Sequence, residues 1–419
     1  MMPSTPRYVS ALISALSLRN PQPQLLKSLD DAEWKQLLVF GDQMHLTIPL
    51  AQTCNGYCPG WVRSRVDRNI ADNTRRFQVI KTTYAEIADA LRSAGIDYLV
   101  LKGFTQSPDY VPEPRHRIQS DIDLFFPHES ILNARDALSA LGYRSQHGFD
   151  AMPWDHLPPL RRKTGWEWRG NAYDPEMPLS VELHHSFWDR AEARFGPESL
   201  EHFWQRRVER QLDEIDFSAL SPVDSPGYLA LNLLRDLLRG PGIVTSQVYE
   251  LAWFLHQNAR VKEFWNRWTE LHDGELRQLE SVSFLLAANW FHCDLPEAVQ
   301  AEIERLPVGT RRWFETHATC PSPMGWLRPT KDGIWLHSSL LKSTAEKRQV
   351  VLDRLFPRRL LPVDAAIANH TPNISPADDS VSRNYHRYLS YLFGRVAYNA
   401  WVIPYTLWNG FRWWLSARS

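Results

Sequence analysis

Apolar positions divide the chain into a central stretch of short strands and long flanking stretches of helical periodicity. Between residues 70 and 94, apolar side chains recur every three or four residues, and Gly95 follows where a helix commonly ends. Residues 96–101 and 120–126 are short apolar runs typical of strands, and residues 131–141 return to helical spacing. We therefore predict a helix, a strand, a glycine turn, a second strand and a helix.

Two further strands are predicted beside a turn at residues 171–178. The segments 165–170 (GWEWRG) and 180–188 (SVELHHSFW) would pair as antiparallel neighbours. Beyond Arg190 the apolar spacing is helical, which indicates a helical bundle. The predicted fold class is therefore α+β, a small mixed sheet with helices on one side, followed by a mainly α-helical C-terminal region.

Chain length and the distribution of prolines predict several segments. A chain of 419 residues exceeds what one small core supports, and prolines concentrate between residues 357 and 376. The predicted segments are an N-terminal helical segment (1–70), a sheet-containing core (71–195), an α-helical bundle (196–355), a proline-rich linker (356–383) and an aromatic C-terminal helical segment (384–419).

Charge and cysteine usage restrict the classes of function. The 47 Lys and Arg residues balance 48 acidic residues, which argues against a protein that wraps nucleic acid, so no nucleic acid template is expected. Four cysteines in a chain of this length do not form a disulfide framework, although Cys54 and Cys58 could be bridged or bind a metal. The N-terminus lacks the pattern of a signal peptide, and a cytoplasmic location is expected.

The aromatic stretch 388–415 has two open interpretations. Polar residues and a proline interrupt it, so that no uncharged run reaches the ~18–20 residues of a transmembrane helix. It is either a helix pair that packs in the core or a peripheral membrane contact with Trp and Arg at the interface.

The second predicted strand carries the clearest candidate chemistry. Side chains alternate along a strand, so Asp121 and Asp123 share one face while Ile122 and Leu124 share the other. At ~3.3 Å per residue the two acids are close enough to converge on one or two divalent ions. Two unpaired carboxylates are costly to bury, so they must be hydrated or metal-bound. Glu182 adds a third acid on a later strand; the alternative is an ordinary polar strand face.

Four motifs along the chain combine into a recognisable pattern: YLVLKG (98–103), PRHRIQSDIDLFF (114–126), LSALGYR (138–144) and VELHHSFWD (181–189). Their apolar strand, glycine turn, acid-x-acid strand and later lone acid resemble the DNA polymerase β-type nucleotidyltransferase superfamily. Within it, the chain resembles the uncharacterised nucleotidyltransferase family of bacterial proteins, well over residues 78–190 and weakly beyond. The resemblance implies transfer of a nucleoside monophosphate from an NTP to an unidentified small-molecule or protein acceptor, with release of pyrophosphate.

The resemblance also implies roles for individual residues. Asp121 and Asp123 would bind Mg²⁺ or Mn²⁺, and Glu182 would be a further metal ligand or a general base. Neutralising either aspartate is expected to abolish turnover with little loss of folding. The residues expected to contact the nucleotide are Lys102, Gly103, Arg117, Ser120 and His184.

The phosphate contacts are the part of the pattern that departs from the superfamily. Gly103 is followed by Phe104 instead of the usual serine, and 17 residues separate Gly103 from Asp121. Gly103 would adopt a positive φ and let a phosphate approach the backbone. Lys102 could instead be a solvated lysine, and Arg117 could instead form a salt bridge with nearby acids, Asp109 or Glu113.

Two other functions remain open at this stage. One is a non-catalytic nucleotide-binding or regulatory, antitoxin-like protein with the same fold. The other is a hydrolase that uses the same carboxylates and metal to cleave phosphate esters. For the transferase, the acceptor pocket is expected between the sheet and the C-terminal helical domain.

Overall fold

A computed structural model of the chain describes residues 5–145, 155–239, 243–318, 321, 331–356 and 381–416. Within these residues seven strands form one mixed sheet in the spatial order β3-β4-β5-β2-β1-β7-β6. The strands are β1 (Leu99–Val100), β2 (Asp121–Phe125), β3 (Arg144–Ser145), β4 (Leu160–Arg161), β5 (Ser180–His184), β6 (Val208–Leu212) and β7 (Ile215–Ala219).

Helices form most of the remaining described structure, which confirms the predicted α+β class with a helical C-terminal region. The helices are α1 (Arg7–Ala15), α2 (Asp31–Gln43), α3 (Thr47–Thr53), α4 (Gly60–Ser93), α5 (Ile131–Ala140), α6 (Arg190–Ala193), α7 (Asp224–Arg239), α8 (Thr245–Asn258), α9 (Lys262–Leu271), α10 (Gly274–Phe291), α11 (Glu297–Glu304), α12 (Val308–His317), α13 (Gly333–Leu340), α14 (Thr344–Leu355) and α15 (Val381–Ser416).

Strand β2 lies near the centre of the sheet, antiparallel to β1 and parallel to β5. Its apolar residues Ile122 and Leu124 are fully buried in a core that also contains apolar side chains of α4, α5 and β5. Because side chains alternate along a strand, Asp121 and Asp123 point to the opposite face. The predicted division of β2 into an apolar and an acidic face is therefore correct.

The opposite face of the sheet packs on a second and larger core. Leu99, Leu101 and Phe125 belong to this core together with side chains of α1, α2, α7, α8 and α10. Phe125 stacks on Phe187 with ring centroids 4.0 Å apart. Helices therefore cover both faces of the sheet, not one as predicted, because β1 is apolar on both sides. The acidic residues of β2 consequently face the helical bundle.

The predicted strand at residues 165–170 is wrong. This segment is a loop, and the antiparallel neighbour of β5 is the shorter strand β4. The Trp166 indole donates a hydrogen bond to Asp174 at 2.9 Å, so this aromatic side chain packs locally on the following turn. The alternation of aromatic and charged residues at 165–170 indicated a strand, but this segment pairs with no strand of the described sheet.

The hairpin of β6 and β7 was not predicted, because the chain beyond Arg190 was interpreted as helical. Ile215 and Phe217 alternate with polar residues and are buried, as in a strand with one face on a core. Asp213 makes the turn with a φ of 51°. Strand β7 then pairs in parallel with β1 and extends the sheet beyond the predicted strands.

Three other predictions concern the cysteines, the N-terminal helical segment and the proline-rich linker. Cys54 and Cys58 are free thiols with sulfur atoms 3.5 Å apart, and Cys293 is buried. The N-terminal helices and the bundle share one core. The predicted linker at 356–383 lies mostly outside the described residues.

Helix α15 is one 36-residue helix, where the core-packing interpretation of this segment expected a helix pair. Pro404 lies inside it. Among the helices of the described ranges, none has the length and apolarity needed to cross a bilayer.

Candidate active site

Strands β2 and β5 bring three of the predicted site residues together. Their parallel register places Asp123 directly beside Glu182. His184 follows on the same face of β5, with Nε2 3.1 Å from Asp123 Oδ1 and 3.7 Å from Glu182 Oε2. One donor atom from each of the three side chains lies within 4.8 Å of the others. Because β2 and β5 are adjacent, residues 61 positions apart form one compact cluster.

Lys102 lies on the other side of Asp123. It lies two residues after β1, and the antiparallel pairing of β1 with β2 brings its Nζ to 3.0 Å from Asp123 Oδ2. Burial by itself would lower the pKa of Lys102, but Asp123 and its acidic neighbours together outweigh burial and raise that pKa. Burial likewise opposes the ionised form of Asp123, yet Lys102 and His184 hold its pKa below the usual range. Lys102 is thus an ion-pair partner inside the site and not a solvated lysine.

Nearby positive charge compensates the carboxylates of Glu182 and Asp121 less well than that of Asp123. Burial and the charges of Asp123 and Asp121 raise the pKa of Glu182 to about 7. Burial and the charge of Asp123 also raise the pKa of Asp121. Three carboxylates therefore share a partly enclosed space with the Lys102 amine and an imidazole. Such a cluster has an excess of negative charge that a bound cation would neutralise.

The donor set was tested against the metal that the resemblance implies. In the described part of the chain, the group able to hold a metal ion consists of Asp123, Glu182 and His184. Carboxylate oxygens suit Mg²⁺ and Mn²⁺, whereas imidazole is more usual as a ligand of transition metals. The residues thus fit a divalent ion, with His184 added to the predicted ligands. The metal role of Asp121 stays a prediction.

Gly103 occupies the turn after β1 and has the positive φ that the sequence predicted, at 78°. A Cβ at this position would lie 2.4 Å from Gln119 Nε2. The same Nε2 donates a hydrogen bond to the backbone carbonyl of Asp121 at 2.7 Å. The space beside the bare Cα of Gly103 is therefore filled by Gln119, a residue that the sequence analysis did not single out. A contact of this turn with phosphate stays a prediction.

Arg117 has a partner that was not among those considered. Its Nε lies 3.2 Å from Oε1 of Glu250 on α8, and both side chains are at most 10% exposed. The proposed alternative partners are used elsewhere, since Asp109 pairs with Arg210 and Glu113 pairs with Arg115. Neither alternative pairing is formed.

The side chains of Arg117 and Ser120 lie in different surroundings, one in a pocket and the other exposed to solvent. Arg117 and Glu250 line a small pocket between the loop that precedes β2 and helix α8. Ser120 is exposed at the start of β2, beside the beginning of β5. The nucleotide contacts expected for both residues stay predictions.

Arg76 on α4 is a site-supporting residue that the sequence analysis missed. It is fully buried and donates hydrogen bonds to the carbonyls of Gln119 at 2.7 Å, Asp174 at 3.0 Å and Met177 at 2.9 Å. These carbonyls precede β2 and β5, so one guanidinium holds both acidic strands. Burial lowers the pKa of Arg76 to about 10, against the opposing charges of Asp121 and Asp174.

One signal for Arg76 was present in the sequence. The apolar stripe of α4 continues toward its N-terminus through buried polar positions, Asn69, Asn73 and Arg76. Polar residues that continue an apolar stripe indicate buried hydrogen bonds.

Helix α7 closes the site from the side of the bundle. Arg235 forms an ion pair with the buried carboxylate of Asp155, which lies just before the bridge of His156 to β5. Burial raises the pKa of Asp236, while the charges of Arg235 and Lys102 oppose this shift. Burial also raises the pKa of Tyr228. A cation, an acid and a phenol of α7 are therefore near the acidic cluster, and spacing along the chain did not indicate them.

Comparison with known proteins agrees with this arrangement. A family model described as "Uncharacterised nucleotidyltransferase" matches residues 30–292, more than half of the chain. The match includes both acidic strands, the β6–β7 hairpin and the bundle through α10. No curated protein and no solved structure matches the chain. The extent of the family match and the cluster at β2 and β5 lead to one conclusion: the chain belongs to the uncharacterised nucleotidyltransferase family.

Proposed function

We propose that the protein transfers a nucleoside monophosphate from an NTP to a small-molecule or protein acceptor and releases pyrophosphate. The observation that carries this proposal is the register of β2 and β5, which puts Asp123 beside Glu182 with His184 in contact. This register collects donor atoms on the face of the sheet that looks toward the bundle. Phosphoryl transfer depends mainly on positioning and on neutralisation of charge, which such a cluster supports.

Mg²⁺ or Mn²⁺ would be held by Asp123 and Glu182, with His184 as a further donor and Asp121 at the start of the same strand. The bound ion would supply charge stabilisation at the phosphoryl oxygens and orient the reacting groups. Lys102, fixed by Asp123 at 3.0 Å, would hold a positive charge beside the triphosphate. Glu182 would serve as a ligand or as the base that accepts the proton of the acceptor.

The acceptor would bind between the sheet and the bundle. On this side α7 offers Tyr228, Arg235 and Asp236, which are groups that can form hydrogen bonds with a polar acceptor. The net charge of −1 favours a small molecule or a protein side chain over a nucleic acid template. The base of the nucleotide and the acceptor are left to experiment.

The test supplies each NTP, labelled at the α-phosphate, together with Mg²⁺ or Mn²⁺ and cell extract as a source of acceptor. We expect release of pyrophosphate and transfer of label by the wild-type protein, and loss of both in Asp121→Asn and Asp123→Asn. The control is Asp97→Asn, because Asp97 is 84% exposed and lies outside the site. Release of inorganic phosphate without transfer of label would indicate the hydrolase instead.

One observation favours a second candidate, a non-catalytic nucleotide-binding or regulatory protein. Both carboxylate oxygens of Asp123 already contact a nitrogen, Lys102 Nζ on one side and His184 Nε2 on the other. These contacts compete with a metal ion for the same oxygens. Calorimetry with a non-hydrolysable NTP separates the candidates. Binding that does not require a divalent ion, together with no release of pyrophosphate, would support the second one.

A further inference from the structure

Helix α15 exposes an apolar stripe between Leu389 and Phe411. The stripe consists of residues spaced by three or four positions, and Ala400 and Pro404 continue it between its two halves. Phe393 is 81% exposed and Val396 is 70% exposed, far more than apolar side chains in a core. The residues that define this exposed α15 face are Leu389, Phe393, Val396, Leu407 and Phe411.

The opposite side of α15 attaches the helix to the rest of the protein. Trp413 donates a hydrogen bond from its indole to the carbonyl of Gly309 on α12 at 2.8 Å and stacks on Trp335 of α13. Buried Asn409 donates to the Asp332 carboxylate at 3.1 Å. The helix is thus held by one side, and the exposed α15 face is directed away from the protein. Its apolar side chains are therefore available to something outside the described chain.

The charge of the helix indicates what that partner is. The α15 sequence contains four arginines, at positions 383, 387, 395 and 412, and no aspartate or glutamate. A formal charge of +4 is thus concentrated in one helix of a protein whose net charge is −1. Two copies of such a helix would repel each other if their apolar faces met. An anionic lipid surface instead attracts the arginines and accepts the apolar side chains.

The aromatic content of the helix fits the same partner. Trp408 is 58% exposed, at the border of the exposed α15 face, beside Phe411. Trp and Arg are characteristic of the region between lipid headgroups and acyl chains. A helix with an apolar face, aromatic residues and basic residues lies in the plane of that region.

We propose that α15 binds the surface of an anionic lipid bilayer, with its exposed α15 face buried at the boundary of headgroups and acyl chains. The helix lies along the bilayer and attaches the nucleotidyltransferase-family domain to it. This attachment uses none of the residues of the acidic cluster and is independent of the proposed transfer reaction.

The test is flotation of the full-length protein with phosphatidylcholine vesicles, with and without a minority of phosphatidylglycerol. We expect binding to the anionic vesicles, much weaker binding to the neutral ones, and a decrease of binding as the NaCl concentration rises. The triple variant Phe393→Ser, Leu407→Ser and Phe411→Ser is expected to bind the anionic vesicles about tenfold or more weakly than the wild type does. Arg412→Gln is expected to weaken binding to anionic vesicles alone.

The matched control replaces three apolar side chains of similar exposure on other helices, Val39→Ser, Leu132→Ser and Val308→Ser. It is expected to bind vesicles as the wild type does. Circular dichroism verifies that both triple variants are folded. Absence of wild-type binding to anionic vesicles, or unchanged binding by the α15 triple variant, would overturn the proposal. So would self-association in sedimentation velocity that this variant abolishes, without vesicle binding, since it would identify a second copy as the partner.

Discussion

The carboxylate of Asp123 contacts two nitrogen atoms, one from a residue that follows β1 and one from β5. Lys102 Nζ and His184 Nε2 lie 3.0 and 3.1 Å from its two oxygens. The Asp123 side chain is only 3% exposed, so its negative charge depends on these partners. We therefore expect a change at this position to affect folding as well as the proposed chemistry, whereas the sequence predicted little loss of folding.

We expect Asp123→Asn to lower the free energy of unfolding by about 3 kcal/mol, because it leaves the Lys102 ammonium without its carboxylate in a buried site. Asp121→Asn should change it by less than about 1 kcal/mol, since this change relieves repulsion from Asp123. Urea denaturation of both variants measures the difference. Equal losses of stability would contradict the ion pair as a structural element of the site.

Gly103 gives a second prediction at this scale. Gly103→Ala should lower the free energy of unfolding by about 1–3 kcal/mol, because an L side chain is strained at a φ of 78° and its Cβ meets Gln119. The control is Gly95→Ala, since Gly95 has a φ of 67° but no atom within 4 Å of the added Cβ. Denaturation should show a smaller loss for Gly95→Ala. An equal loss would mean that the Gln119 contact adds nothing.

At the scale of elements, α4 holds the two acidic strands in place. Its buried Arg76 binds carbonyls in the loop before β2 and in the loop before β5. The two strands also pair directly in parallel register. The geometry of the acidic cluster thus depends on a helix that packs on the opposite face of the sheet.

Arg76→Met keeps the apolar stem of the side chain but removes the guanidinium, which leaves three carbonyls without their donor. We expect it to lower the free energy of unfolding by about 3 kcal/mol or more, and to weaken metal-dependent nucleotide binding. The neighbouring change Arg75→Met is the control, because the Arg75 side chain is 68% exposed, and it should cost less than about 0.5 kcal/mol. Denaturation and calorimetry measure the two effects. Wild-type stability of Arg76→Met would rule out the proposed role of this arginine.

At the scale of the whole molecule, a buried ionic network joins the helices of the bundle. His272 lies between Asp224 of α7 and Glu280 of α10, with nitrogen–oxygen distances of 3.1 and 2.8 Å, and all three side chains are fully buried. Burial disfavours the charged imidazole, but the two carboxylates outweigh it and raise the pKa of His272 to about 9. The bundle against which the acidic face packs is therefore sensitive to alkaline pH.

The sign of this sensitivity follows from the raised pKa. Because His272 binds its proton more tightly in the folded state than at its ordinary value of 6.5, its contribution is complete below about pH 6.5 and is lost as pH rises through 9. We expect the free energy of unfolding to fall by about 3 kcal/mol over this window. Urea denaturation between these pH values measures it.

His272→Gln should remove most of this pH dependence, although the variant is less stable at neutral pH. His202→Gln is the control, since His202 is exposed on a short turn, and it should keep the wild-type dependence. A wild-type dependence in His272→Gln would assign the effect to other groups.

Local patterns predicted the elements that matter most for the site. Alternation along β2 correctly separated Asp121 and Asp123 from Ile122 and Leu124, and the glycine after β1 correctly indicated a turn with positive φ. The hairpin of β6 and β7 was missed although β7 alternates apolar and polar residues, because the chain beyond Arg190 was interpreted as helical. Strand alternation and glycine turns depend on residues only a few positions apart in the sequence.

The ion-pair partners of the buried arginines depend on contacts between residues far apart in the sequence. Arg117 pairs with Glu250, 133 residues away, and Arg235 pairs with Asp155, 80 residues away. The sequence by itself determined the fold class, the acidic face of β2 and the aromatic character of the C-terminal helix, because these follow from short-range periodicity and composition. Only the tertiary structure decided that Lys102 binds Asp123, that Arg76 supports both acidic strands and that α7 closes the site. Those contacts depend on how elements that are distant in the sequence pack together, and the spacing of residues along the chain does not encode that packing.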